Sequence, residues 1–321
     1  MGKTIVRRFL ILIPQIIFIT LFIFILAEFM PGDPFAHLVE SADGAAVAQQ
    51  LTETLGLNLP WHVRYYRWIE GIVTRWDFGR SIQHARPVMD IVTERMANTL
   101  RLSGLTVVLT YLIAIPFGIW AGKHKDKWPD KAILLYAFTA LALPTIVLSI
   151  VVIFFFGFQL QIIPIRGSVD IQAVPGTMGY TLSRLHHLIG PAITGALLST
   201  VSIIFFLRNE IVDVQNSDFV TTARSKGVPQ NDVYRKHILR NAMLPIVPSI
   251  GTTIGALFAG SIFIEMVFSY PGIGRLFIDS IMQRDFPVIN TLVLLTAIIT
   301  AIGVLISDLL LTIVDPRIRI K

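Results

Sequence analysis

Long apolar runs separated by polar stretches dominate the chain. A membrane-spanning helix needs about 20 mostly apolar residues, and six segments reach that length: Phe9–Met30, Thr99–Gly122, Ala132–Phe158, Leu188–Leu207, Ala242–Val267 and Thr291–Val314. The pattern predicts an all-α polytopic membrane protein, a bundle of six transmembrane helices. Pro116 and Pro144 fall inside the second and third runs. Each removes a backbone donor, so kinks are expected there, with neighbouring groups satisfying the freed carbonyls. The first run follows Lys3, Arg7 and Arg8. It is too long for a secretory signal and no A-x-A-like cleavage site follows it, so an uncleaved anchor is expected.

Five polar stretches separate these runs, the shortest being the lysine-rich Lys123–Lys131. Pro31–Asn98 is the one sizeable segment outside the bilayer, with helical periodicity over Ala45–Leu55 and Trp61–Val73 and an aromatic cluster of Trp61, Tyr65, Tyr66, Trp68 and Trp76. Such a segment either caps the bundle at the aromatic belt or meets an external partner. Gln159–His187 is a mixed loop with room for a short strand or helix. Tyr270–Phe277 and Gln283–Asn290 are too short and too broken to cross the membrane, which fits a re-entrant or interfacial segment. The fourth stretch, Asn209–Pro245, is the most strongly patterned. Gly227 suits the left-handed position that ends a helix and Pro229 the first turn of the next, predicting a helix, an elbow and a helix. Val233, Tyr234, His237 and Ile238 fall on one stripe, with Asp232, Arg235, Lys236 and Arg240 around the other side. An apolar stripe of this kind, between two spans, lies on lipid or docks in another protein.

Composition agrees with the pattern. The chain has 321 residues, 54% of them hydrophobic, and a mean hydropathy of +0.68, well above ordinary soluble domains. Its net charge of +6 would suggest nucleic acid in a soluble protein, but here the distribution decides. Lys and Arg gather at the N-terminus, at Lys123, Lys125, Lys127 and Lys131, within Asn209–Pro245, and at Arg317, Arg319 and Lys321. Between Pro31 and Asn98, by contrast, six arginines face eight carboxylates. The positive-inside rule then places both termini and Asn209–Pro245 in the cytoplasm.

Several chemistries find no support. Without cysteine there is no thiol nucleophile, disulfide framework or cysteine metal site. No G-x-x-x-x-G-K-[ST] phosphate loop, H-E-x-x-H or helical carboxylate pair occurs, so an enzyme acting alone is not expected and no cofactor is. His186 and His187 are adjacent rather than at i, i+4 and have no flanking ligand set, so they do not make a metal site. Ionisable residues near span ends are Glu28, Glu265 and Asp308; structural pairing, with Arg101 or Arg275 as partners, is expected of them. Their scarcity counts against a proton- or sodium-driven transporter.

The run T-A-R-S-K-G, Thr222 to Gly227, followed by His237, Leu239, Arg240, Asn241, Ala242 and Leu244-Pro245, resembles the coupling-loop signature of membrane subunits of binding-protein-dependent ABC importers. Thr221 and Thr222 stand where Glu and Ala are usual, and His237 and Arg240 replace an Ile and a Pro; these departures match the peptide subfamily. L-G-L-N-L-P-W (Leu55–Trp61), W-D-F-G-R-S (Trp76–Ser81), R-M-A-N-T-L-R-L-S (Arg95–Ser103), Y-P-G-I-G-R-L-F (Tyr270–Phe277), Q-R-D-F-P-V-I-N (Gln283–Asn290) and D-P-R-I-R (Asp315–Arg319) are similar to phrases of the B-type subunit of oligopeptide and dipeptide importers, in the same order.

That resemblance implies the type I importer fold, divided into residues 1–30 (N-terminus and first span), 31–98 (extracytoplasmic helical insert) and 99–321 (a five-helix permease core with coupling loop 209–245). It implies Thr222, Ala223, Arg224, Ser225, Lys226, Gly227, His237, Leu239, Arg240, Asn241 and Pro245 as the contact with an ATPase subunit. Implied partners are a sister permease, two ATP-binding subunits that hold the ATP, an extracytoplasmic peptide-binding protein and the bilayer of a bacterial or archaeal cytoplasmic membrane, with no nucleic acid. Nickel and glycosylated-peptide importer subunits share the same motifs and stay open. A secondary transporter or channel is the alternative from another class, and a passive scaffold is disfavoured by the patterning of Asn209–Pro245.

Overall fold

A computed structural model describes residues 2–29, 35, 44–54, 56–244, 246, 253 and 261–314. The helices are α1 (Gly2–Glu28), α2 (Gly44–Thr54), α3 (Trp61–Arg75), α4 (Val88–Lys123), α5 (Trp128–Ala142) and α6 (Thr145–Val152), the last continued by a π-helical stretch, Ile153–Gln159. They are followed by α7 (Met178–Gln215) and α8 (Asp218–Ser225). The ninth helix, α9, starts at Gln230–Asp232, passes through a π-helical stretch, Val233–Leu239, and ends at Arg240–Ala242. Then come α10 (Ile262–Val267), α11 (Ile273–Met282) and α12 (Phe286–Val314).

The protein is an all-α polytopic membrane protein. Among the described residues four helices are each long and apolar enough to cross a bilayer: Leu10–Ala27, Val88–Lys123, Met178–Gln215 and Phe286–Ser307. The second and fourth spans start earlier than the apolar pattern indicates, at Val88 and Met178, because polar helical turns extend them beyond the hydrocarbon. Most of the predicted fifth run, Ala242–Val267, lies outside the described residues, as do Met30–Pro34 and Asp315–Arg319.

The third predicted run, Ala132–Phe158, is not one kinked helix. It is two, α5 and α6 with its π-helical continuation, bent by 106°. Pro144 accounts for the break: its ring and missing N–H stop a helix, and it forces the preceding Leu143 into extended backbone, φ −87 and ψ 122. Pro116, by contrast, sits inside an unbroken α4.

The core pairing is α4 against α7. Ala114, Gly118 and Gly122 recur every four residues along α4, and this small stripe lets the two backbones approach. A Cβ on Gly118 would come within 3.0 Å of Leu207, and one on Gly122 within 2.8 Å of Ile211 and 3.2 Å of the Arg208 carbonyl oxygen. The terminal spans α1 and α12 pack together and leave an aliphatic cavity of about 700 Å³ beside α10 and α11.

Candidate functional site

The polar segment between α7 and the fifth run folds as a helix, an elbow and a helix. Helix α8 ends at Gly227, whose φ is +76. The Gly227 N–H donates to the Arg224 carbonyl (3.0 Å) and the Val228 N–H to the Ala223 carbonyl (3.3 Å), which is the Schellman pattern that satisfies the last carbonyls of a helix. Pro229 then sits at the N-cap of α9 rather than in its first turn.

The apolar stripe of α9 points inward. Val233 and Ile238 are buried, joined by Val220 and Ala223 of α8, against Leu207 and Ile211 of α7 and Ala242. The expectation that this stripe faces lipid or a partner is therefore overturned: the stripe closes a core cluster of its own chain. Tyr234 anchors it, donating from its hydroxyl to the Ile119 carbonyl (3.3 Å) under the ammonium of Lys123, 5.4 Å from the ring centre. Burial pushes the Tyr234 hydroxyl up to about 12, so it stays a neutral donor. The seam thus ties α8 and α9 to the end of α4.

What remains outward is polar and basic. Thr222, Arg224, Ser225, Lys226 and Gly227 are exposed, as are Arg235, Lys236, Arg240 and Asn241, with His237 and Leu239 half-buried. Phe219 adds an exposed ring at the start of α8. Ala223 is the buried member of the set, and Pro245 lies outside the described residues. The Asn241 amide donates to the His237 carbonyl at 2.6 Å. It thereby braces the point where the π-helical stretch returns to α-helix.

At the other end of α4 the other sequence phrases meet in pairs. Glu265 on α10 is fully buried, but neither guanidinium expected of it pairs with it: Arg101 donates to the Asn98 side chain and Arg275 reaches Asp279. Its carboxylate instead accepts from the Thr99 hydroxyl (2.9 Å) and from the backbone N–H of Arg275 (3.0 Å). The Thr99 hydroxyl in turn accepts from the Ile273 N–H at 2.7 Å. The carboxylate therefore caps the N-terminus of α11, where helix N–H groups lack partners and anions are favoured.

This cap explains the glycines of Tyr270–Gly274. A Cβ on Gly272 would come within 2.4 Å of the Glu265 carboxyl, and one on Gly274 within 2.9 Å of Ile262 and 3.0 Å of the Glu265 carboxylate. Asn98 donates to the Pro271 carbonyl (3.0 Å) and Tyr270 to the Asn98 carbonyl (3.2 Å), so Asn98-Thr99 and Tyr270–Gly274 form one lock.

A second lock joins the insert to α12. Asp285 is 1% exposed and accepts from the Ser81 hydroxyl and from the N–H groups of Ile82 (3.0 Å) and Gln83 (3.3 Å). Phe78 and Val88 pack with Val288 and Leu292 beside it. Trp76–Ser81 is consequently seated on the bundle. Of the aromatic cluster, Tyr65 and Trp68 pack on Phe24 of α1, whereas Trp61, Tyr66 and Trp76 stay exposed.

A family model described as a binding-protein-dependent transport system inner membrane component matches residues 114–320, and the N-terminal model of the same system matches residues 1–103. The chain belongs to this family. As such an importer's permease subunit it is an integral inner-membrane protein, and the catalytic ATPase lies in partner subunits. Relatives of the same length include the oligopeptide transport system permease protein AppB of Bacillus subtilis, 36% identical over 99% of this chain and all of that protein. The glutathione transport system permease protein GsiC of Salmonella paratyphi A is 34% identical with complete coverage of both chains. Among solved structures, the inward-facing MetNI methionine ABC transporter matches with a TM-score of 0.55 at 15% identity, over 71% of this chain and 97% of that one. That likeness supports the type I permease fold.

One pair in this permease has no short-range signal in the sequence. Arg208 donates to Asp130 through two nitrogens, at 2.8 and 3.1 Å, and the Asp126 N–H donates to the same carboxylate at 2.9 Å. The pair ties the start of α5 to α7 directly before the segment Asn209–Pro245. Asp130 and Arg208 are 78 residues apart, which hides the pairing from any local pattern. The adjacent histidines have separate backbone acceptors, His186 at the Ile162 carbonyl and His187 at the Ser183 carbonyl, both at 2.8 Å.

Proposed function

We propose that this subunit forms half of the translocation pathway of a peptide importer, pairing with a sister permease, and that its exposed α8–α9 face seats in a groove of one of two ATP-binding subunits. The observation that carries the coupling assignment is the split of that segment. Its apolar stripe is used up inside the chain, so Arg224, Lys226, Arg235, Lys236 and Arg240 form a rigid, basic outward face. A helix so braced against α4 and α7 passes a partner's movement to the spans as a rigid-body push. In this reading the termini and α8–α9 are cytoplasmic, by the distribution of Lys and Arg, and the insert faces an external peptide-binding protein. ATP is bound by the partner subunits alone.

The peptide assignment rests on the full-length similarity to AppB, and glutathione, itself a small peptide, is the second reading favoured by GsiC. The test is to purify the tagged chain gently from its own membranes. A second permease and P-loop ATPases that co-purify, and are lost when His237–Arg240 is scrambled, support the coupling role. A solitary chain, or one that moves solute under an ion gradient alone, overturns it. Uptake of labelled oligopeptides, glutathione and nickel by the intact transporter then separates the substrates.

A further inference from the structure

The face of α3 turned toward the bundle carries Arg64, Arg67, Trp68, Gly71 and Arg75, at spacings of three, one, three and four residues, and so on one helical stripe. It walls a cavity of about 250 Å³ closed on the other sides by Phe24, the Gly56–Leu59 turn, Asp77–Gly79 and Asn290 at the start of α12. Arg67 and Arg75 make no ion pair among the described residues. Two polar atoms on its wall residues, the indole nitrogen of Trp68 and the side-chain oxygen of Asn290, are buried without a hydrogen-bond partner. Cationic side chains therefore surround a cleft that also offers the apolar surfaces of Phe24, Leu57 and Phe286.

The depth of the cleft identifies its guest. Phe24 lies one turn from the end of the apolar stretch Leu10–Ala27, which puts the floor about 5 Å inside the edge of the hydrocarbon. Exposed Trp61, Tyr66 and Trp76 lie on or beside α3, where interfacial aromatics are expected. We propose that this cleft is a phospholipid headgroup site, its phosphate held by Arg67 and Arg75 and its ammonium or glycerol hydroxyls donating toward Asp77. Guanidinium groups match phosphate with paired N–H donors, and basic pockets at helix ends are a known way of holding headgroups. A free phosphate satisfies the arginines but leaves the apolar walls uncovered. A phospholipid covers both, because its acyl chains continue from the phosphate into the hydrocarbon along α1.

The test uses the whole transporter in detergent and native mass spectrometry, with phosphatidylethanolamine, phosphatidylglycerol, phosphatidylcholine or inorganic phosphate added in turn. The expected result is a retained ethanolamine or glycerol lipid whose occupancy falls about tenfold in Arg67→Gln/Arg75→Gln, the loss of about one charge-assisted contact. Arg67→Lys/Arg75→Lys, which keeps the charges, should retain most of it. Equal retention by the glutamine variant overturns the proposal, and so does displacement of the lipid by millimolar inorganic phosphate, which would make this a free-anion site. A second measurement needs no variant: a phospholipid with a photoreactive headgroup should label peptides from 61–75, and labelling confined to other segments overturns the assignment.

Discussion

The lock around Glu265 can be taken apart by a double-mutant cycle. Thr99→Val keeps the shape of the side chain but removes the donor to the carboxylate and the acceptor of the Ile273 N–H. An unsatisfied buried N–H costs about 1–3 kcal/mol. Glu265→Gln keeps the volume, but with its oxygen on the Arg275 N–H its NH₂ group replaces the oxygen that accepts from the Thr99 hydroxyl, so that hydroxyl must turn and a charge-assisted bond becomes a neutral one. Together these cost about 2–4 kcal/mol. Because both residues and the α11 backbone share one fully buried network, the double variant should cost less than the sum, by about 0.5–3 kcal/mol. Unfolding of the solubilised chain by rising mole fractions of sodium dodecyl sulfate measures all four corners. A coupling energy within about 0.3 kcal/mol of zero, the range for independent sites, refutes the shared network.

Three further outcomes follow from the geometry. Gly227→Val meets open space around its Cβ but must hold φ +76, so it should lose about 1–3 kcal/mol of local stability and most transport at normal membrane abundance, while Gly227→Asn keeps both; wild-type uptake by the valine variant counts against the elbow. Asp285→Ala strands the Ser81 hydroxyl and two backbone N–H groups and should weaken insert docking by about 3 kcal/mol, read as faster tryptic cleavage at Arg80 with the spans intact. Asp130→Ala leaves Arg208 partly buried and alone, a loss of about 3–5 kcal/mol by analogy with broken buried pairs, and Asp130→Ala/Arg208→Met should recover much of it in the same unfolding assay.

What the sequence could reveal was set by the range of each interaction. Apolar runs and the Gly227 elbow are local, and both were legible. The break at Pro144 was legible as a disturbance but not as a 106° turn, because a lone proline within a span is often absorbed by its neighbours. The sequence showed the stripe of α9 but not its direction, since the same four residues suit lipid, a partner or the chain itself. Only the position of Leu207 and Ile211 on α7 decides between them. The partner of Glu265 was misjudged for a related reason. A buried acid suggests an arginine, whereas here a backbone N–H at the start of α11 serves Glu265, as those of a turn serve Asp285, and such donors leave no mark in the sequence.

The phrases of the family signature gain a physical meaning when their pairing is considered. Arg95–Ser103 meets Tyr270–Phe277 through Thr99, Asn98 and Glu265, and Trp76–Ser81 meets Gln283–Asn290 through Ser81 and Asp285. Both locks lie at the insert end of the bundle, and α4 connects them to α8–α9, the segment proposed to meet the ATPase. From Thr99 to Lys123 the helix rises about 36 Å, enough to cross the roughly 30 Å hydrocarbon core. At its far end Ile119 and Lys123 hold Tyr234, and between the two ends Gly118 and Gly122 press its backbone against α7. A helix scarcely shortens along its axis, so a push on α8–α9 reaches the Glu265 lock as displacement or tilt of α4. Pro116, which removes one backbone bond from this strut, is where bending should concentrate. It lies just before the glycines that fix the end near Lys123 to α7, whereas the half with the Glu265 lock is held to α7 by Thr106 over Gly195 and by Leu102 against Leu188 and Ala192.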